Sequence, residues 1–92
     1  MKIPVVTKRV NEKFAIGFKY GPPDLEEGDK IDSCVSTVGT GLTKDGDPSV
    51  ELDEVSQMIS GGTLNADYTV TFQVTTSVGH IYEDKITVQI RA

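Results

Sequence analysis

Tyr68-Thr69-Val70-Thr71-Phe72-Gln73-Val74-Thr75 is the stretch that decides how this chain folds. Side chains in a strand alternate between its two faces, so Tyr68, Val70, Phe72 and Val74 share an apolar face and the threonines with Gln73 share a polar one. Its β-branched residues favour extended backbone. The stretch reads as a strand with one wet side, and the remaining sequence must supply what covers the other. Downstream, Ile86, Val88 and Ile90 alternate with Thr87, Gln89 and Arg91. Ser77-Val78-Gly79-His80 is short enough to join the two as a hairpin. Upstream, Phe14, Ile16, Phe18 and Tyr20 alternate with Ala15, Gly17 and Lys19 until Gly21-Pro22-Pro23-Asp24 ends the run.

Weaker extended segments lie at residues 5–10, 30–38, 49–52 and 55–59, giving about seven strands. Turn signals separate them at Asn11-Glu12, Gly39-Thr40-Gly41, Asp45-Gly46-Asp47-Pro48 and Gly61-Gly62. Over residues 49–60 a helix competes, because Val50, Leu52, Val55, Met58 and Ile59 roughly keep helical spacing. Leu64 stands four residues before Tyr68, the layout of the tyrosine corner in immunoglobulin-like sandwiches, where the tyrosine hydroxyl bonds nearby backbone. The alternative is that Tyr68 is simply the first core residue of a strand. The expectation is one all-β immunoglobulin-like domain of antiparallel strands over residues 1–92, with residues 1–12 a flexible arm or a first strand. Its expected core holds Phe14, Ile16, Phe18, Leu64, Tyr68, Val70, Phe72, Val74, Ile86 and Val88.

Composition narrows the chemistry. The 92 residues carry a net charge of −5, against binding to a phosphate backbone. One cysteine forbids an internal disulfide, and one cysteine with one histidine cannot build a zinc site from thiolates and imidazoles. No segment approaches the roughly 18 apolar residues of a membrane helix, and the N-terminus lacks a signal-peptide apolar region, so synthesis in the cytoplasm is expected. Cofactors, nucleic acid and membrane are not expected partners.

Few residues offer chemistry. Cys34 and His80 are the one thiol and imidazole that could form a nucleophile and base, but Cys34 lies in an apolar run and His80 in a hairpin turn. Asp45 and Asp47 could give a calcium ion two oxygens of the six or more it needs, yet Val50 and Ser56 stand where an EF-hand loop requires glycine and glutamate. Glu83-Asp84-Lys85 reads as an exposed charged strand start. Tyr20 and Tyr82 are the aromatics left for a sugar platform, and no tryptophan is present. Gly39-Thr40-Gly41 lacks the lysine and hydroxyl residue of a P-loop.

Ser60-Gly61-Gly62-Thr63, Tyr68-Thr69-Val70-Thr71, Val74-Thr75-Thr76-Ser77 with Gly79, Tyr82-Glu83-Asp84 and Thr87-Val88 together resemble the pattern of short fiber-tail adaptor and neck or tail accessory proteins of tailed phages and prophages. Glu27-Gly28-Asp29-Lys30-Ile31-Asp32-Ser33 and Gly41-Leu42-Thr43 extend the resemblance, which runs from Phe14 to Arg91. Tryptophans frequent in that pattern are replaced here near Phe18, Val35 and Met58. The resemblance implies a virion structural protein without catalysis, made in the bacterial cytoplasm. Its implied partners are other phage structural proteins and further copies of itself in a ring. An unpaired strand edge suits such contacts. The preferred docking segment is Val5, Val6, Lys8, Arg9 and Val10, with Lys8 and Arg9 guarding the edge; residues 49–52 form a second candidate edge. The competing reading is a small adhesion or carbohydrate-binding module.

Overall fold

The computed structural model describes residues 4–20, 28–51 and 53–92. Among the described residues there are eight strands: β1 (Val5–Lys8), β2 (Phe14–Lys19), β3 (Ile31–Val38), β4 (Leu42–Lys44), β5 (Ser49–Val50), β6 (Glu54–Gly61), β7 (Asp67–Thr76) and β8 (Ile81–Ile90). One sheet runs β1-β8-β7-β3; the other runs β2-β6-β4, with β5 also paired to β6. The two sheets share one core, as a sandwich.

β7 and β8 form the hairpin that their alternation demands. Val70 pairs with Ile86, Tyr68 with Val88 and Val74 with Tyr82. The turn closes through Thr76 N–H to the His80 carbonyl (2.8 Å) and Gly79 N–H to the Thr76 carbonyl (3.0 Å). β8 starts at Ile81, so Glu83-Asp84-Lys85 lies within a strand rather than at its start. The reason is the partner: β7 stays extended through Thr76 and offers backbone groups to every residue from Ile81 onward.

Residues 54–61 are strand, not helix. Val55, Gln57 and Ile59 alternate into the core while Met58 faces outward, a period-two burial that helical spacing cannot produce. β2 lies against it, with Phe14 opposite Ile59 and Phe18 opposite Val55. The three-residue β4 exceeds the expected strand count because so short a segment carries no readable periodicity. β1 pairs parallel to β8, Val5 beside Thr87 and Lys8 beside Ile90, which departs from the all-antiparallel expectation. Parallel neighbours need a long connection between them, and these two strands lie at opposite ends of the sequence.

Inside, the Phe72 and Phe18 rings meet edge to face, their centres 5.7 Å apart, joining the two sheets. Val55, Ile59, Val70, Phe72, Val74, Val88 and Ile90 are fully buried. At about 1.5–3 kcal/mol for each fully buried side chain of this size, this layer dominates the favourable side of folding. β3 contributes both Ile31 and Ser36 to the interior although they stand an odd five positions apart; a register shift between Ile31 and Ser33 changes which face follows. Ser36 Oγ donates to Gln57 Oε1 across the sandwich, and Gln57 Nε2 donates to the carbonyls of Gly46 and Met58 at 3.0 Å. Both buried side chains are thereby satisfied.

Candidate partner-binding surface

β1 is an outer strand of its sheet, so among the described residues one side of its backbone has no strand beside it. Its side chains alternate: Val5 and Thr7 face solvent, Val6 leans on the core, and Lys8 turns fully inward. Lys8 corrects the expectation that it guards the edge. It is 0% exposed, and its ammonium donates to the carbonyls of Arg9 (2.8 Å), Val10 (3.2 Å) and Gly61 (2.7 Å). Three donors meet three acceptors, which is what a lysine needs in order to be buried without a carboxylate. Strand parity explains the result: Lys8 falls on the same face as Val6. No sequence signal named Gly61 as its partner. The edge is left with Arg9 as its guarding cation, the Arg9 backbone N–H donating to Glu12 Oε1 at 2.7 Å.

Past the end of β1, Arg9 and Val10 line an open depression with Leu64 and Arg91. Leu64 does not join the core; it is 47% exposed. The hydroxyl half of the tyrosine-corner expectation stands, since the Thr63 N–H donates to the Tyr68 hydroxyl at 2.9 Å. The leucine half does not, because Asn65 adopts a left-handed backbone (φ 67°) and the bend carries Leu64 out to solvent. Arg91 Nη2 meets Asp67 at 2.8 Å beside it. Arg91 and Leu64 are surface residues that the sequence reading did not assign together, because only the pairing of β7 with β8, continued by the Asn65 N–H to Ile90 carbonyl bond (2.8 Å), brings the loop before β7 beside the end of β8.

The other chemically suggestive residues are dispersed. Cys34 sits opposite Val74 in the middle of β3, whereas His80 lies in the β7–β8 turn with its ring against Tyr82. Burial pushes the Cys34 thiol above its ordinary range, away from the thiolate needed for nucleophilic attack. Asp45 is engaged by the Lys13 ammonium at 2.5 Å, while Asp47 is exposed. Among the described residues, no three side chains of His, Cys, Asp or Glu gather around a common point.

Tyr20 and Tyr82 stack at 6.1 Å, but Tyr20 is only 5% exposed and donates to Asp84 Oδ2 at 2.6 Å. This ring is part of the core and offers no face to a sugar. Asp29 binds the Ser77 hydroxyl at 2.6 Å, and that hydrogen bond holds its carboxyl below the usual range. Among the described residues, no helix is long and apolar enough to cross a membrane.

The described residues form an all-β sandwich whose polar side chains tie loops and strands together, with its exposed polar and apolar groups spread over an edge and an end. The chain belongs to the family described as podophage GP4 fiber-tail adaptor protein gp77, whose model matches residues 8–89. No curated protein matches it significantly. Membership in a phage tail-fiber adaptor family gives the protein a virion structural role and places its partners among phage tail proteins.

Proposed function

We propose that this protein is a single immunoglobulin-like domain that connects tail or neck components of a phage or prophage particle through protein contacts alone, without catalysis. It is made in the bacterial cytoplasm and works as part of the virion, in more than one copy. The observation that carries this reading is the family match across residues 8–89, nearly the whole chain. Strand pairing supports the immunoglobulin-like assignment. β2, β6 and β4 pair in the order of strands B, E and D of that fold, and β3, β7 and β8 in the order C, F and G.

The docking segment is the β1 edge and the chain that follows it. Val5, Arg9 and Val10 meet the partner there, with the backbone of β1 available for an added strand, while Val6 and Lys8 hold the strand in place from beneath. The carbohydrate-binding alternative is not favoured, because it needs an accessible Tyr20 face. Mass spectrometry of gradient-purified particles after prophage induction tests the proposal. The protein is expected in fixed proportion to tail proteins; particles that form without it overturn the structural role. Cys34→Ala and His80→Ala are expected to leave particle assembly intact, and loss of assembly in a folded variant would contradict a role by contact alone.

A further inference from the structure

Among the described residues, β2 is the unguarded edge of the sandwich. Its six residues pair with β6 alone, so one side of the strand has no neighbour there. The ladder fixes which groups face that side. The Tyr20 N–H donates to the Asp53 carbonyl (2.6 Å) in the register that sets Phe18 opposite Val55, whereas Met58 and Glu54, opposite Ala15 and Lys19, give their carbonyls to Asp45 and Glu51 on the far side of β6. Bonded and non-bonded pairs alternate in an antiparallel ladder, so Phe14, Ile16 and Phe18 bond β6 while Ala15, Gly17 and Lys19 turn their N–H and C=O groups to the open side.

The remaining edges are short or interrupted. β1, β4 and β5 have four, three and two residues, while β3 has a register shift and its Ser36 carbonyl is taken by the Lys44 ammonium at 2.9 Å. β2 has no proline and no register shift, and its first charge is Lys19, its last residue. Natural sheets block such edges, so an open one about 20 Å long marks a place for another strand. On the immunoglobulin-like reading, strand A belongs beside strand B in this sheet, and here β1 pairs with β8 instead.

The two faces of β2 specify what that strand carries. Phe14 and Phe18 are half-buried at the rim of the core, so the residues of an added strand that lie beside them are apolar. On the outer face, Ala15 and Gly17 are small, and exposed Lys13 and Lys19 bracket them with positive charge. Lys13 meets Asp45 yet its side chain stays 56% exposed; Lys19 lies opposite Glu54 and, among the described residues, forms no ion pair. A second copy fits poorly, because two β2 strands paired antiparallel about Gly17 set Lys19 of one diagonally to Lys13 of the other, like charge to like. We propose that the open edge of β2 receives an extended segment of another protein, apolar at alternate positions and acidic between them. The proposal rests on the reading that this chain joins virion components, since a connector docked to one component through β1 needs a second surface for the next. Main-chain bonds to Ala15, Gly17 and Lys19 hold the segment, and its side chains give the specificity.

Amide exchange followed by NMR tests this on the full chain, with a hexapeptide alternating glutamate and valine as the probe. In the free chain the amides of Ala15, Gly17 and Lys19 are expected to exchange roughly tenfold faster, or more, than those of Ile16 and Phe18, and to slow by about tenfold when the peptide saturates the edge. Lys19→Glu is expected to weaken binding of this peptide about fivefold, as loss of a surface ion pair does, and to favour a peptide of lysine and valine instead. Ala15→Pro removes an outward N–H that β6 does not use, and is expected to abolish binding. If its thermal melt shows an unfolded chain, Lys19→Glu carries the test.

Slow exchange at Ala15, Gly17 and Lys19 in the free chain, no slowing by the peptide, or equal binding of the lysine and valine peptide to the unmodified chain overturns the proposal. In induced particles, p-benzoylphenylalanine incorporated at position 15 is expected to cross-link to a segment of another tail protein in which acids alternate with apolar residues. A cross-link to a second copy of this chain, or none, overturns it. Failure here leaves the adaptor reading standing, because that reading is decided by whether the protein travels with particles.

Discussion

The Tyr68 hydroxyl receives the Thr63 N–H at 2.9 Å while its ring lies over the Gly39–Gly41 turn, so one side chain joins the loop before β7 to the loop after β3. A Cβ on Gly41 would come within 3.0 Å of the Tyr68 ring and hydroxyl, and Gly41 has φ 106°, a conformation open to glycine. Tyr68→Phe keeps the ring and removes the hydrogen bond. It is expected to cost about 0.5–1.5 kcal/mol, the usual net worth of one such bond. Gly41→Ala, which meets both strain and the ring, is expected to cost more. Urea denaturation of the two variants checks the order, and an unchanged midpoint for Tyr68→Phe would mean that the hydroxyl contributes nothing.

Lys8 and Arg9 are adjacent cations with opposite consequences. Lys8→Met retains an apolar stem but leaves the carbonyls of Arg9, Val10 and Gly61 without their donor. The expected loss is about 1.5–3 kcal/mol, appropriate to hydrogen bonds from a charged group. Arg9→Met, at an exposed side chain, is expected to stay within about 0.5 kcal/mol. Equal effects on the denaturation midpoint would show that burial of Lys8 is unimportant to stability.

Gly17 faces Ser56 where β2 and β6 approach closely, and an added Cβ would overlap the Val55 carbonyl oxygen. The obstacle is backbone and cannot rotate away. Gly17→Ala is therefore expected to destabilise by about 1–3 kcal/mol, as overpacking does, while Ala15→Gly on the same exposed face of β2 costs only the backbone entropy of a strand glycine, about 0.5–1 kcal/mol. Thermal melting of both variants decides this; a fully stable Gly17→Ala would show that the strands separate at little cost.

Asp29 gives the fold a dependence on acid. Its carboxyl is held below the usual range chiefly by the Ser77 hydroxyl, so the folded state favours the charged form. A lowered folded value means that this stabilisation is present above the unfolded carboxylate range and is lost as pH falls through the folded value. Asp29→Asn is expected to narrow the stability difference between pH 7 and pH 3. Denaturation midpoints at the two pH values measure it, and an undiminished difference would assign the acid sensitivity to other carboxylates.

What the sequence determined by itself is the strand content and the inward faces of the long strands. Val70, Phe72 and Val74, Ile16, and Ile86 and Val88 are buried as their alternation requires, because period-two burial needs only local backbone geometry. The hairpin at residues 77–80 and the Tyr68 hydroxyl bond were legible for the same reason: each spans a few residues. Tertiary structure alone decided the rest. Lys8 is charged and read as a surface residue, yet the carbonyl of Gly61, 53 positions away, lets it be buried. Leu64 is apolar and read as core, yet the left-handed turn at Asn65 directs it outward. The surface that gathers Arg9, Val10, Leu64 and Arg91 exists only because β1 lies parallel to β8, which brings the residues after β1 beside the residue after β8. Local patterns specify which face of a strand is wet; which distant groups satisfy a buried charge, or share a surface, depends on how the sheets pair.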